Sequence, residues 1–209
     1  MKQATTIEEQ IQLLKSRGVI ISDENKAKEV LMDIGYYRLG FYLFPFEKAY
    51  PKLKKRSHEY KEGTTLQGAV TLYYYDFDLR NILLRYINRI EVAFRTYMIY
   101  DLSNKYKSEP IGINQTAVFE NYMEAIRIVR NKCAHGSTMF DLSLNQSIKN
   151  GPAGKFNGSA HSLSAAISVI FYMIGTISKN RQNDLRKGLL EISDLAINRN
   201  PEIAWVIKK

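Results

Sequence analysis

The sequence predicts an all-α protein, and three observations carry that prediction. Apolar residues Leu72, Tyr75, Leu79, Ile82, Tyr86, Ile90, Ala93 and Tyr97 recur at three- and four-residue steps, which is about seven turns of one amphipathic helix. The 209 residues are 45% hydrophobic with only five prolines, so little interrupts helical runs. Cap and stop residues bracket the remaining apolar stripes.

Taken in order, Thr6 three residues before Glu9 reads as a capping box, and Ile7, Ile11 and Leu14 carry the first stripe to Gly18. Ser22, Asp23 and Glu24 supply the cap and early acids of a second helix over about 23–34, which Gly35 ends. An aromatic block follows to Pro45. Its Tyr36, Tyr37, Phe41, Tyr42, Phe44 and Phe46 read as core, with base stacking as the alternative. Residues 47–63 form a basic, irregular connection containing Pro51 and Gly63, after which Thr64 or Thr65 caps the long helix.

A further helix runs from about Thr116 to His135, with Phe119, Met123, Ile126 and either Val129 or Ile128 facing inward. Between Gly136 and His161 the chain is rich in Gly, Ser and Asn, and it reads either as a flexible flap or as an ordinary long connection. Ser162 or Ser159 caps a helix through about Ser178, and a final amphipathic helix spans about Gln182 to Ile197. Ile203, Trp205 and Val206 mark a terminal segment held by packing or by a partner. No repeat and no linker interrupts the chain.

Composition excludes several classes. A single cysteine rules out an internal disulfide framework and suits a reducing cytoplasm. Residues Met1 to Thr6 lead straight into an amphipathic pattern, without the apolar core of a secretory signal. The most apolar stretch, Ala165 to Ile177, is short of the ~20 residues that cross a bilayer. No zinc spacing, phosphate-loop pattern or clustered carboxylates for a metal nuclease occur, so no cofactor is expected. The net charge of +9 favours an anionic partner, nucleic acid before membrane.

One run carries chemistry: Ala125-Ile126-Arg127-Ile128-Val129-Arg130-Asn131-Lys132-Cys133-Ala134-His135-Gly136. Arg130 holds phosphate at any physiological pH, and His135 can exchange a proton near neutrality. Residues five apart differ by roughly 140° on an ideal helix. Asn131 and His135 nevertheless share a face, Arg127 lies on the same row, and Arg130 is long enough to reach over. On the long helix Asn88, Glu91 and Arg95 share one face, so Glu91 either orients a catalytic cation or pairs with Arg95.

Three blocks in order, Ile34 to Phe46, Leu72 to Thr96, and the Arg130-Asn131 pair with Cys133-Ala134-His135, resemble the Abi-like (abortive infection) proteins of bacteria. These are related to the AbiD and AbiF phage-resistance proteins and belong to the HEPN superfamily. The resemblance covers roughly residues 5–142. It implies a HEPN-like helical bundle with a long central helix and extra N- and C-terminal helices. The chain would be one domain over 1–209, with an N-terminal helical part at 1–63, the core at 64–142, and a loop with C-terminal helices at 143–209. It further implies that Arg130 and His135 form the catalytic pair of a cytoplasmic ribonuclease and that two copies meet as a homodimer.

On that footing the expected activity is metal-independent RNA cleavage in phage defence, by attack of the substrate's own 2′-hydroxyl. Asn131, Glu91 and Arg95 would support the pair. Arg127, Lys132, Arg85, Arg89, Lys54, Lys55 and Arg56 would bind RNA, either substrate or a structured regulatory RNA. The alternative is a non-catalytic RNA binder, or a scaffold in a toxin and antitoxin pair.

Overall fold

Helix after helix follows the predicted punctuation. The computed structural model describes residues 5–51, 56–105 and 116–207, with side chains 98–116 outside the description. Its elements are α1 (Ile7–Ser16), α2 (Glu24–Asp33), α3 (Tyr36–Leu43), α4 (Leu66–Lys105), α5 (Thr116–Ala134), α6 (Leu163–Ile177), α7 (Lys179–Arg199) and α8 (Ala204–Ile207), with 3₁₀ turns at Phe44–Phe46 and Pro201–Ile203. Among the described residues only isolated β-bridges occur, so the chain is all-α. No described helix is long and apolar enough to cross a membrane.

The residues gather into two compact units, residues 1–75 with 193–209, and residues 76–192. The boundaries fall inside α4 and α7, and a helix shows no break in its own periodicity where its packing partners change.

In the first unit Thr6 closes the capping box, its hydroxyl accepting from Glu9 N at 3.2 Å while Glu9 Oε2 accepts from Thr6 N at 2.7 Å. Asp23 Oδ1 accepts from the backbone of Asn25 and Lys26 at the start of α2. Gly35, at φ +84°, turns the chain directly from α2 into α3, a conformation that a side chain would resist. Ile11, Leu14, Leu31, Leu39, Tyr42 and Leu43 form the core. The tail docks: Ile203 and Val206 are buried, and Trp205 lies edge-on to Phe46 and Tyr50 at about 6 Å between ring centres.

The aromatic block is only partly core. Tyr42, Phe44 and Phe46 are buried, but Tyr37 is 84% and Phe41 56% exposed. These two stand four residues apart on an eight-residue helix that buries only its opposite face. Density of aromatic residues alone did not reveal which face would be covered.

In the second unit α4 contributes Leu79, Leu83, Ile87 and Ile90, α5 contributes Tyr122, Ile126 and Val129, and α6 contributes Val169, Ile170 and Ile174. Val129 rather than Ile128 is fully buried. At the start of α4 it is Thr65 that caps, accepting from Gly68 N at 2.9 Å. Ser162 caps α6, accepting from Ala165 N. Helix α7 begins at Lys179, earlier than expected, because Ser178 ends α6 and accepts from Arg181 N in the next turn.

The connection over 137–161 is tied down. Met139, Leu144, Ile148 and Phe156 are buried, and Leu144 N and Ile148 N donate to the carbonyls of His161 and Ala160. Buried Asn121 on α5 clamps it as well, donating to Ser147 O and accepting from Lys149 N. This is the ordinary, packed connection, not the flap.

Candidate active site at the end of α5

Helix α5 stops where Gly136 predicts. Gly136 takes φ +64°, its N–H donates to Cys133 O, and Ser137 N donates to Lys132 O at 2.9 Å. Those two bonds form a Schellman ending, with Gly136 one residue beyond the cap. His135 is therefore the cap residue, its N–H donating to Asn131 O at 2.9 Å, and it is exposed. Cys133, on the inner face of the same turn, is buried beside Met139, and burial pushes its thiol pKa up to about 12.

Below this end, Arg130 approaches Glu91 of α4. Its Nε lies 3.4 Å from Glu91 Oε1, while Glu91 Oε2 lies 3.9 Å from Arg95 Nη2. Glu91 thus stands between the two cations, and both sequence-derived pairings occur together. Arg130 Nε is buried and makes no hydrogen bond, although 42% of the side chain is exposed. The 3.4 Å contact is electrostatic rather than a hydrogen bond of good geometry. Beyond Glu91 a groove of about 470 Å³ runs between α4 and α5, lined by Arg95, Arg127, Phe94, Phe119 and Met123 among others. Arg130 and His135 do not line it.

The remaining expected residues differ in exposure and in partners. Asn131 is half-buried, and Lys132, Arg85 and Arg89 are exposed. Arg127 is held by Glu124 through two bonds of 2.7 and 2.6 Å, which lower the Glu124 carboxyl below its usual range. Arg56 belongs to the other unit and is engaged internally: Nε and Nη2 donate to buried Glu47 Oε1 at 3.0 and 2.5 Å. A cation spent on a buried carboxylate is not part of an open RNA-facing patch. Lys54 and Lys55 lie outside the described residues.

Sequence reasoning did not single out Asp76 and Arg80 as positioning groups. Both are buried and paired through Asp76 Oδ2. Asp76 Oδ1 accepts from Met139 N at 2.8 Å and Phe140 N at 3.1 Å, and Arg80 Nη1 donates to Ser137 O at 3.1 Å. The pair thereby fastens to α4 the turn that follows His135. The signal was present: Asp76 stands on the same stripe as Leu72, Leu79 and Leu83, and a charge on a core stripe calls for a buried partner.

Among the described residues no group of three His, Cys, Asp or Glu side chains is placed to hold a metal ion. In comparisons with known proteins, residues 29–112 match the family model of the Abi-like proteins. No curated protein and no solved structure matches the chain. The matched stretch runs from α2 through α4 and ends before Arg130 and His135. With the Tyr36 to Phe46 block and the whole of α4 inside it, residues 29–112 are similar to the Abi-like proteins.

Proposed function

We propose that the protein is a metal-independent endoribonuclease of bacterial phage defence, with Arg130 and His135 as its catalytic pair. The observation that carries this is the presentation of an exposed imidazole at the fixed end of α5, five residues after a guanidinium held by Glu91. Arg130 stabilises negative charge on the phosphate, as a fixed cation beside a carboxylate that aligns it. His135 exchanges protons at the reacting oxygens.

In the reaction the substrate's 2′-oxygen bonds to phosphorus as the bond to the 5′-oxygen breaks. The 2′-hydroxyl proton goes to a base, and the leaving 5′-oxygen takes a proton from an acid. The products are a 2′,3′-cyclic phosphate and a 5′-hydroxyl. A single imidazole holds one protonation state at a time, so a second copy's His135 in a cytoplasmic homodimer takes the complementary role. Exposed Arg85, Arg89 and Lys132 draw the strand in by its phosphates.

The test is cleavage of mixed-sequence RNA by purified protein in excess chelator, with product ends read directly, beside Arg130→Ala and His135→Ala proteins of unchanged helical content. Cleavage by the parent alone, leaving cyclic phosphate ends and sparing DNA, is expected. Each substitution should cost on the order of 10²-fold or more. Magnesium-dependent cleavage, equal action on DNA, or full activity in either variant would overturn the assignment. RNA binding without cleavage would replace it with a non-catalytic RNA-binding role.

A further inference from the structure

A second candidate site lies in the first unit, which contains none of the residues of the ribonuclease proposal. A cleft of about 740 Å³ is lined by Arg17, Tyr36, Tyr37, Arg56, His58 and Tyr60 among others. That volume falls within the range of small-ligand sites. The charged groups on its wall are cations, and Tyr36 and Tyr60 line it with them, the Tyr36 hydroxyl on Arg17 Nη1.

The wall is built rather than accidental. Glu47 is fully buried, and its Oε1 takes Arg56 Nε and Nη2 and lies 3.4 Å from His58 Nδ1. Arg56 Nη2 also donates to Gly40 O, and its guanidinium lies 4.9 Å from the centre of the Phe44 ring. One buried carboxylate thus fixes two of the lining groups. Glu47 Oε2 is buried with no hydrogen-bond partner, so this network still has an unused acceptor. His58 sits at φ +53°, a conformation that non-glycine residues adopt rarely.

Arg17 caps the end of α1, and its carbonyl accepts from Tyr60 N at 3.1 Å. Its Nη1 donates to the Tyr36 hydroxyl at 2.8 Å, and among the described residues no carboxylate stands within ion-pair distance of it. Burial raises the Tyr60 phenol to about 12, so it keeps its proton and remains a donor. Residues bearing a guanidinium, an imidazole and a phenol line this space together, a donor set that suits an anion with several acceptor oxygens.

The mouth of the cleft is aromatic. Tyr37 lines it while 84% exposed, and it meets Tyr36 edge-on with ring centres 5.6 Å apart. Phe41, one turn further along α3, is also exposed. An exposed ring beside a cationic cavity is the arrangement that stacks a base whose phosphate lies in the positive groove.

We infer that this cleft binds a 5′-phosphorylated nucleotide, with the phosphate on Arg17 and His58 and the base on Tyr37. Its source is either a free nucleotide or the phosphorylated end of an RNA strand. The inference rests on no part of the Arg130 and His135 reading.

Calorimetric titration of the full chain with adenosine 5′-monophosphate, adenosine and inorganic phosphate tests it. Tetranucleotides of 2′-O-methyl RNA, which cannot be cleaved by 2′-hydroxyl attack, are added with and without a 5′-phosphate. The monophosphate or the phosphorylated strand should bind at least about tenfold more tightly than adenosine, phosphate or the unphosphorylated strand. Whichever of the two binds more tightly identifies the source.

Arg17→Ala and Tyr37→Ala should each weaken binding about tenfold. Tyr37 is too exposed for its loss to unfold the unit, so that variant decides if Arg17→Ala fails to fold. Absence of binding by all probes, affinity for phosphate alone equal to that for the monophosphate, or binding unchanged in Tyr37→Ala would overturn the inference.

Discussion

Two carboxylate and guanidinium pairs involve α4, and they meet opposite surroundings. Asp76 and Arg80 are almost wholly buried, and both carboxylate oxygens are engaged, one by Arg80 and the other by two backbone N–H groups. Glu91 and Arg130 are a quarter and two-fifths exposed, meet at 3.4 Å without a hydrogen bond, and share the carboxylate with Arg95. The first pair is saturated. The second keeps unspent hydrogen-bonding capacity at a partly wet surface, which is what a group must retain to act on a ligand. The same chemistry thus serves as a fastener in one place and as a candidate reagent in the other.

The largest expected effect comes from breaking the closed pair. Asp76→Ala leaves Arg80 buried without its counter-charge and frees two backbone donors, a loss of about 3–5 kcal/mol. Urea denaturation should show that loss, and Asp76→Leu with Arg80→Met should recover much of it by replacing charge with apolar volume. If Asp76→Ala unfolds at the parent's midpoint, the fastener reading fails. The turn after His135 should loosen too, seen as faster amide exchange at Met139 and Phe140.

The dryness of that closed region is reported by Cys133, whose thiol lies near both Asp76 and Arg80. Its folded pKa of about 12 stands above the unfolded value of 9.0, so the unfolded chain loses the proton first as pH rises. Stability is therefore unaffected by this group below about pH 9. From there up to about pH 12 it falls, by at most about 1.4 kcal/mol per pH unit. Denaturation of Cys133→Ala over this window should be less pH-dependent than that of the parent by that slope. Equal slopes would show the closed end to be wetter than the geometry indicates.

How much was legible in the sequence follows the same division. Caps, stops and the α4 stripe are local, and Thr6 with Glu9, Asp23, Gly136 and Ser162 act where residue type predicts. Arg130 and Glu91 were named from spacing, yet their meeting depends on α5 lying along α4, which no single helix encodes. Arg56 looked like an RNA-facing cation, and Arg80 was not singled out, because their partners, Glu47 and Asp76, are known to be buried only once the chain is folded. Tyr37 was misread for the complementary reason, since a short helix of mostly aromatic residues does not announce its covered face. The boundary between the two units is invisible because it falls within continuous helices.

At the open pair the expected change is smaller. Glu91→Gln keeps shape and removes the charge that aligns Arg130, so RNA cleavage should fall about tenfold, equivalent to about 1.4 kcal/mol, with stability changed by less than that. A positioning role predicts that kcat falls while KM holds, and that Glu91→Asp restores part of the rate. A stability loss equal to that of Asp76→Ala would show the two pairs to be alike.

The smallest effect tests the link between the two regions, Gly136. At φ +64° alanine pays a left-handed penalty of about 1 kcal/mol, whereas asparagine, which tolerates that conformation, should pay less. Thermal unfolding of Gly136→Ala and Gly136→Asn should rank them in that order below the parent. Because Asp76 and Arg80 hold the turn from its far side, neither variant should move cleavage by more than a few-fold once folded. A large loss of cleavage in Gly136→Ala alone, with the helix intact, would mean that the glycine rather than the buried pair sets the imidazole's place.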